Sequence, residues 1–340
     1  MAGGLVTRRR LIVGGAAAVG MAAAAAGAWS VRPYDGVRLL FTNDMHSHLR
    51  PVYHREAHDA SFLRANGIPA GSEDAYVTTG VDFADLAKRY GRVGGLAHIK
   101  TVIDRERDVA PGRTLVLDAA DTWYGSGIAL LTEGRACVQV MNEIGYDAMT
   151  LHWEFNLGKK ILLDRIKDAK FPVVCQNLRD EFGDRVLQPS IVREAGKVRV
   201  GVIGQGYTFS LLTTEFLSQD EYPGWRMGYD EDGLRDEIAR LRTKEKADVI
   251  VVLSHMGYEA ERAIAGRVPG IDVIVGGHTH DILWRPERVG STLIVQAGSH
   301  GKFVGELDLE VRGGKVERYR HRIIPILSER IEPHPGVKAL

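Results

Sequence analysis

Short β-branched, apolar runs recur along the chain, at residues 37–42, 114–117, 148–151, 173–176, 198–203, 249–253, 273–275 and 293–296. Each is bounded by polar or turn-forming residues and has the length of a buried strand. Helical spacing appears between them: Leu96, Ile99, Val102 and Ile103 share one face, as do Leu234, Ile238 and Leu241. Strands alternating with amphipathic helices predict an α/β fold. Near the end, residues 305–311 and 316–324 flank Gly313-Gly314 and read as a closing hairpin. Residues 50–93 lack periodicity and form an irregular insertion between the first strand and the helix that begins near Leu96. Loops of that length tend to be functional.

The first 28 residues have a different character. They contain no acidic residue, carry Arg8-Arg9-Arg10, continue in an Ala/Gly-rich run, and end Ala26-Gly27-Ala28. This is the anatomy of a secretory signal, with paired arginines that point to twin-arginine export and a periplasmic protein. The alternative is an N-terminal membrane anchor, for which the run is short. Composition narrows the class further. The 340 residues hold 44 Lys and Arg against 44 Asp and Glu, a formal net charge of zero, which argues against a nucleic-acid partner. Two cysteines, Cys137 and Cys175, exclude a disulfide-dense scaffold and a cysteine-built metal site. They read as buried free thiols, with a disulfide after export as the alternative.

Ligand-type residues follow successive strands: Asp44 and His46, Asp121, His152, His255, then His278 and His280. In α/β sheets the ligand crevice lies at the carboxyl ends of the strands, so five strands deliver Asp or His to one rim. Two carboxylates and five imidazoles suit Mn, Zn or Fe. Seven ligands are too many for one tetrahedral ion and enough for two. Gly276-Gly277 beside His278 permits close backbone approach.

The blocks Thr42-Asn43-Asp44-Met45-His46, Asp118-Ala119-Ala120-Asp121-Thr122, Ser254-His255-Met256-Gly257 and Gly276-Gly277-His278-Thr279-His280 resemble the calcineurin-like metallophosphoesterases, in their 5′-nucleotidase branch. The resemblance implies a four-layer αββα sandwich with a dimetal site at the strand ends. It implies Asp44, His46, Asp121 and His280 on the first ion, His255 and His278 on the second, and Asp121 as the bridge. One block departs from the branch. Where nucleotidases carry Asn-His-Glu-Phe-Asp, this chain has His152-Trp153-Glu154-Phe155-Asn156. His152 remains a competent ligand, but the indole of Trp153 cannot transfer a proton as imidazole does.

That departure, with Pro51-Val52-Tyr53-His54-Arg55-Glu56 and Gly298-Ser299-His300-Gly301-Lys302-Phe303, resembles the SoxB thiosulfohydrolases of bacterial thiosulfate oxidation. This implies release of sulfate from a cysteine S-thiosulfonate on the arm of a thiosulfate-carrier protein, with two divalent ions, Mn first and Zn or Fe as alternatives. It makes Asp121, His152 and Trp153 the catalytic candidates. The alternatives are a dimetal phosphoesterase or nucleotidase, and a metal-binding carrier-docking protein of low activity. Arg55 could steer an anion or be surface charge. Trp123 and Trp153 could wall the slot or pack. His300 could face substrate, and Asn177 could support the ligands or end a strand. The expected organisation is a signal at 1–28, a catalytic domain over 29–330 with the 50–93 insertion, and a linker-like 331–340 without the branch's second domain. No membrane span is expected after processing.

Overall fold

The computed structural model of the chain describes residues 36–206 and 222–340. The segment read as an export signal lies outside the described residues. Two sheets carry the fold. The first has the order Lys315–Pro325, Phe303–Arg312, Gly36–Thr42, Thr114–Asp118, Ala148–Met149. The second runs Glu287–Val289, Thr292–Val295, Val273–Val275, Val249–Ser254, Val198–Gln205, Ser190–Ala195. Gly36–Thr42, Thr114–Asp118 and Ala148–Met149 are parallel, as are the four central strands of the second sheet. Their carboxyl ends therefore collect at one rim.

The period of two explains the layers. Val37, Leu39 and Phe41 point into a core between the sheets, with Leu115, Leu117, Val200, Val202, Val251 and Leu253. Leu40 and Val116 point the other way, onto Leu96, Ile99 and Ile103 of helix Leu96–Val109 and Val138 and Met141 of helix Arg135–Ile144. Ile203, Ile250, Val252 and Ile274 turn outward onto Leu234, Ile238 and Leu241 of helix Glu231–Thr243 and Ile264 of helix Tyr258–Arg267. Each strand thus has two apolar faces, so the runs look continuous in sequence, and the sandwich acquires four layers, αββα. Arg38 shares the outward face of Leu40. It is buried and ion-paired to Asp308 at 2.7 Å and Glu106 at 3.0 Å.

Several expectations are corrected. Residues 173–176 form no strand, because consecutive residues there bond different partners. Met149 donates to Pro172 at 3.1 Å and Val174 to Met149 at 2.8 Å on the first sheet, while Gln176 donates to Gly204 at 2.8 Å on the second. The segment stitches the two sheets together, and Gly204 permits it, since a Cβ there would lie 1.9 Å from the Val174 carbonyl oxygen. The 50–93 stretch is not irregular. It holds helices Ala60–Asn66, Glu73–Thr78 and Phe83–Tyr90, the first two capped by Asp59 and Ser72. They run 7, 6 and 8 residues, too short to display a 3.6-residue period. The final residues do not hang as a linker. His334 donates to the Ala97 carbonyl at 2.9 Å, Thr101 to that of Glu332 at 2.7 Å, and Val337 is buried against the helix layer. No helix among the described residues is long and apolar enough to cross a membrane.

Candidate metal centre

The loops leaving the first two parallel strands zip together. The amides of Asp44, His46 and Ser47 donate to the carbonyls of Ala120, Asp121 and Thr122 at 2.9–3.0 Å. Asp44, His46 and Asp121 in these paired loops have positive φ, and so do His278 and His280 on the loop after Val273–Val275. The conformation costs roughly 1–2 kcal/mol per non-glycine residue, and such strain concentrates at functional sites. Gly277 is required by crowding, since a Cβ there would sit 2.8 Å from His255 Nδ1 and 3.0 Å from Asp44 Oδ2.

Seven side chains gather into two groups, Asp44, His46, Asp121 and His280 in one, His152, His255 and His278 in the other. Within each group the ligand atoms lie within 4.8 Å of one another. Asp121 stands between them, its Oδ2 3.2 Å from His152 Nδ1 and 3.6 Å from His46 Nε2. Asp44 faces both as well, its Oδ1 3.3 Å from His280 Nε2 and 3.5 Å from His255 Nε2.

These residues fit two divalent cations. Asp121 Oδ1 and His255 Nε2 are buried without a hydrogen-bond partner, an arrangement that costs about 1–3 kcal/mol per group unless something is bound. His255 Nδ1 lies 2.5 Å from the Ala119 carbonyl, which fixes the tautomer and aims the Nε2 lone pair at the two carboxylates. His46 Nε2 faces His280 Nε2 at 3.0 Å, as two lone pairs directed at one cation would. Burial, then crowding by neighbouring imidazoles, pushes His152 far below its usual range, and burial with the His255 charge holds His278 at about 4. Burial, offset in part by Asp44, brings His46 to about 4. His46, His152 and His278 are thus pushed toward the neutral form that metals take. Burial would raise Asp44, but the imidazoles of His255 and His280 outweigh it and hold it at about 2. Burial beside Glu154, Asp44 and Asp118 drives Asp121 well above the carboxylate range, so this carboxylate calls for positive charge. Divalent metals are supported by this donor set; oxygen and nitrogen donors do not select among Mn, Zn and Fe.

Residues that motif reading passed over hold the ligands in place. Glu154 is fully buried. Its Oε1 accepts the amides of Thr122 at 2.7 Å and Trp123 at 3.1 Å, and its Oε2 accepts that of His152 at 2.8 Å. One carboxylate thereby clamps two ligand loops. Asn43 donates to Asp44 Oδ2 and to the Gly298 carbonyl, both at 2.7 Å. Glu261 accepts the Gly277 amide at 3.3 Å and the Gln296 amide at 2.8 Å, fixing the loop that bears His278. An acidic residue one turn into an ordinary helix carries no sequence signal for that job; the His-Trp-Glu-Phe block was the one visible hint for Glu154.

Of the remaining candidates, Trp153 is at the mouth. It is 36% exposed, with its ring 5.9 Å from that of His152 and 6.2 Å from that of His46. Trp123 is corrected: it does not line the slot but lies fully buried, its indole donating to Met141 Sδ at 3.1 Å. Asn177 is corrected as well. It is buried, its amide committed to the carbonyls of Gly206 and Gly228, and it ties down the end of strand Val198–Gln205. Arg55 is exposed on the insertion. His300 stands beside the first group, 5.4 Å ring to ring from both His46 and His280. Cys137 and Cys175 are buried free thiols.

No family model matches the chain. The human 5′-nucleotidase is 28% identical over 345 residues, covering 93% of this chain and 52% of that protein. The chain spans about half the length of the curated relatives it matches. Among solved structures, the sulfate thiohydrolase SoxB of Thermus thermophilus, in complex with glycerol, superposes with a TM-score of 0.85 at 30% identity, covering 92% of this chain and 60% of that one. A 5′-nucleotidase precursor from Thermus thermophilus superposes with a TM-score of 0.69 at 25% identity, covering 89% and 57%. The four-layer fold, the paired Asp/His groups at its rim and these likenesses together support the 5′-nucleotidase branch of the metallophosphoesterases for this chain.

Proposed function

We propose that the chain is a dimetal hydrolase that releases sulfate from a cysteine S-thiosulfonate carried on a protein arm. Asp44, His46, Asp121 and His280 would hold one ion and His152, His255 and His278 the other. When bound, two such ions supply Lewis acidity, bringing the pKa of water toward neutrality and offsetting charge that develops on the substrate oxygens. Water oxygen bonds to the sulfonate sulfur as the S–S bond breaks. The electron pair leaves on the carrier's sulfur and the protons pass to solvent.

The observation that carries this reading is the indole at the mouth. Trp153, beside His152 and His46, occupies the place where the nucleotidase pattern has an imidazole, and exposed Asn156 replaces that imidazole's acidic partner. Indole has one N–H that stays bonded at neutral pH, so this position cannot protonate a leaving group. A sulfur leaving group needs little help, with a thiol pKa of about 8.5. An alkoxide, near water's roughly 15.7, needs much more. The similarity to SoxB supports the sulfur substrate. The nucleotidase relatives support a second reading, hydrolysis of a nucleotide phosphate at the same ions. Export by the twin-arginine route, read from residues 1–28, would bring the protein to a periplasmic carrier.

The test sets the metal-loaded protein against a carrier bearing cysteine S-thiosulfonate and, in parallel, a nucleoside monophosphate. Sulfate release that disappears in Asp121→Ala and His152→Ala is the expected result. Phosphate release alone would favour the second reading, and neither product with both ions bound would refute both. Replacing Trp153 by His together with Asn156 by Asp should raise phosphate-ester hydrolysis, and no gain with metal retained would remove the argument from the indole.

A further inference from the structure

The histidines at the rim outnumber those the two ligand groups use. His300 is the hub of the surplus. Its ring lies 5.4 Å from those of His46 and His280, 4.7 Å from His48 and 4.2 Å from His54. His54 belongs to the 50–93 segment and has no counterpart among the strand-end ligands. Its segment is anchored on both sides. Val52 and Val93 exchange backbone bonds at 2.9 and 2.8 Å and close the segment into a loop. The Gly80 amide donates to the His58 carbonyl at 2.9 Å, and a Cβ at Gly80 would lie 2.8 Å from the Glu56 carbonyl oxygen. Between these anchors Glu56 reaches in to form an ion pair with Lys302, a fully buried ammonium on the loop just after His300.

Burying a lysine is expensive without a partner. Burial brings the Lys302 amine down to about 7, and the carboxylate set against it is that of Glu56. A fold that needed only to cover this edge of the sheet could do so with an apolar side chain at less cost. The pair instead joins the loop bearing His300 to the segment bearing His54, with Glu56 Oε1 3.7 Å from His54 Nε2. The side chains of His54 and Glu56 are 26% and 19% exposed, so they border the open mouth. Each ring carries an N–H to offer, and His300 meets the Ser299 hydroxyl at 2.6 Å through Nδ1, which leaves its Nε2 side open.

We propose that His54 is a substrate-binding residue. With His300 it offers imidazole N–H groups, beside the first metal-ligand group, to an oxygen of the substrate's sulfonate or phosphoryl group. The Glu56–Lys302 ion pair is the positioning latch that holds it there. The 50–93 segment is then one wall of the substrate slot. The inference rests on the site being a dimetal oxyanion centre, and it does not depend on which oxyanion reacts.

The test uses the full chain loaded with metal, with metal content counted for every variant. Calorimetric titration with inorganic phosphate and with thiosulfate reads binding directly. His54→Ala should weaken both about tenfold, the loss of one hydrogen bond to a charged group, with two ions retained. His54→Gln, which keeps an N–H at similar reach, should recover most of the loss. Glu56→Ala should weaken binding similarly and Glu56→Asp less, because the first abolishes the latch and the second shortens it. On whichever substrate the wild type cleaves, KM should rise by the same factor with kcat within about threefold. His54→Ala binding within about twofold of wild type, with both ions present, overturns the proposal. So does loss of metal in His54→Ala, which would make His54 a support of the ligands. Wild-type protein that holds two ions yet binds neither anion and cleaves neither substrate would sink the dimetal hydrolase reading itself, a result distinct from an active wild type indifferent to His54.

Discussion

The clamp at Glu154 permits a prediction that can be worked through. Replacing Glu154 with Ala removes the acceptor for three backbone amides, those of Thr122, Trp123 and His152, at 2.7, 3.1 and 2.8 Å. The side chain is fully buried, so water does not readily take its place. An orphaned buried donor costs about 1–3 kcal/mol. Three of them, with one sharing the carboxylate oxygen of another, come to about 4–5 kcal/mol. One effect opposes this. Glu154 is the first charged neighbour that raises Asp121, so its removal relieves some repulsion and trims that figure. The net loss is about 3–4 kcal/mol in the metal-loaded protein, where bound cations already temper that repulsion. For a domain of this size each kcal/mol shifts the melting temperature by about 2–4 °C, so the variant should melt roughly 6–15 °C lower. Glu154→Gln keeps one acceptor but turns an NH2 toward the remaining amides, so it should recover less than half. The assay is calorimetric melting of metal-saturated wild type and variants, with metal counted before and after. A Glu154→Ala protein that melts within about 1 °C of wild type and keeps both ions would refute the clamp.

Other expectations are simpler to check. Arg38→Ala removes the buried partner of Asp308 and Glu106, which keep the half-exposed Arg320, Arg322 and Arg105, and should cost about 1.5–3 kcal/mol in urea unfolding; a loss no larger than that of a surface ion pair, below about 0.5 kcal/mol, would contradict that. Burial raises Asp118 and Glu261 to about 8 in the fold. A carboxyl raised in the folded state holds its proton more tightly there, so its stabilisation is full below the unfolded pKa of about 4 and is lost as pH rises toward 8. Against metal-free wild type, Asp118→Asn and Glu261→Gln should therefore gain in melting temperature between about pH 5.5 and about pH 8, a difference in which the buried histidines cancel; a difference that does not change with pH would count against these protonation states. Chelation should lower the melting temperature at about pH 8, by an amount equivalent to about 4 kcal/mol when free metal had stood at about 1,000 times its dissociation constant; a melting temperature indifferent to chelator would mean the seven residues hold no ion.

What could be read from sequence depended on whether the signal was local. The runs at 37–42 and 249–253 are apolar at almost every position, because both faces of each strand are covered, and that continuity announces a buried parallel strand. The candidate ligands were legible because each follows its strand within a few residues, and topology alone sends those ends to one rim. Segments held by long-range partners were not legible. Residues 173–176 have the composition of a strand, yet their amides and carbonyls are divided between two sheets, a fact that belongs to the assembly. Trp123 and Trp153 are the same residue type, each shortly after a candidate ligand, and only packing put one in the core and the other at the mouth. Glu154, His54 and the Glu56–Lys302 pair acquire their roles from atoms far away in the chain. The sequence by itself determined most of the strands, the α/β alternation and the candidate ligands, because periodicity and strand-end position are local properties. Tertiary structure alone decided which buried carboxylates clamp those ligands and which wall the insertion builds, because hydrogen bonds and ion pairs across long separations leave no periodic trace.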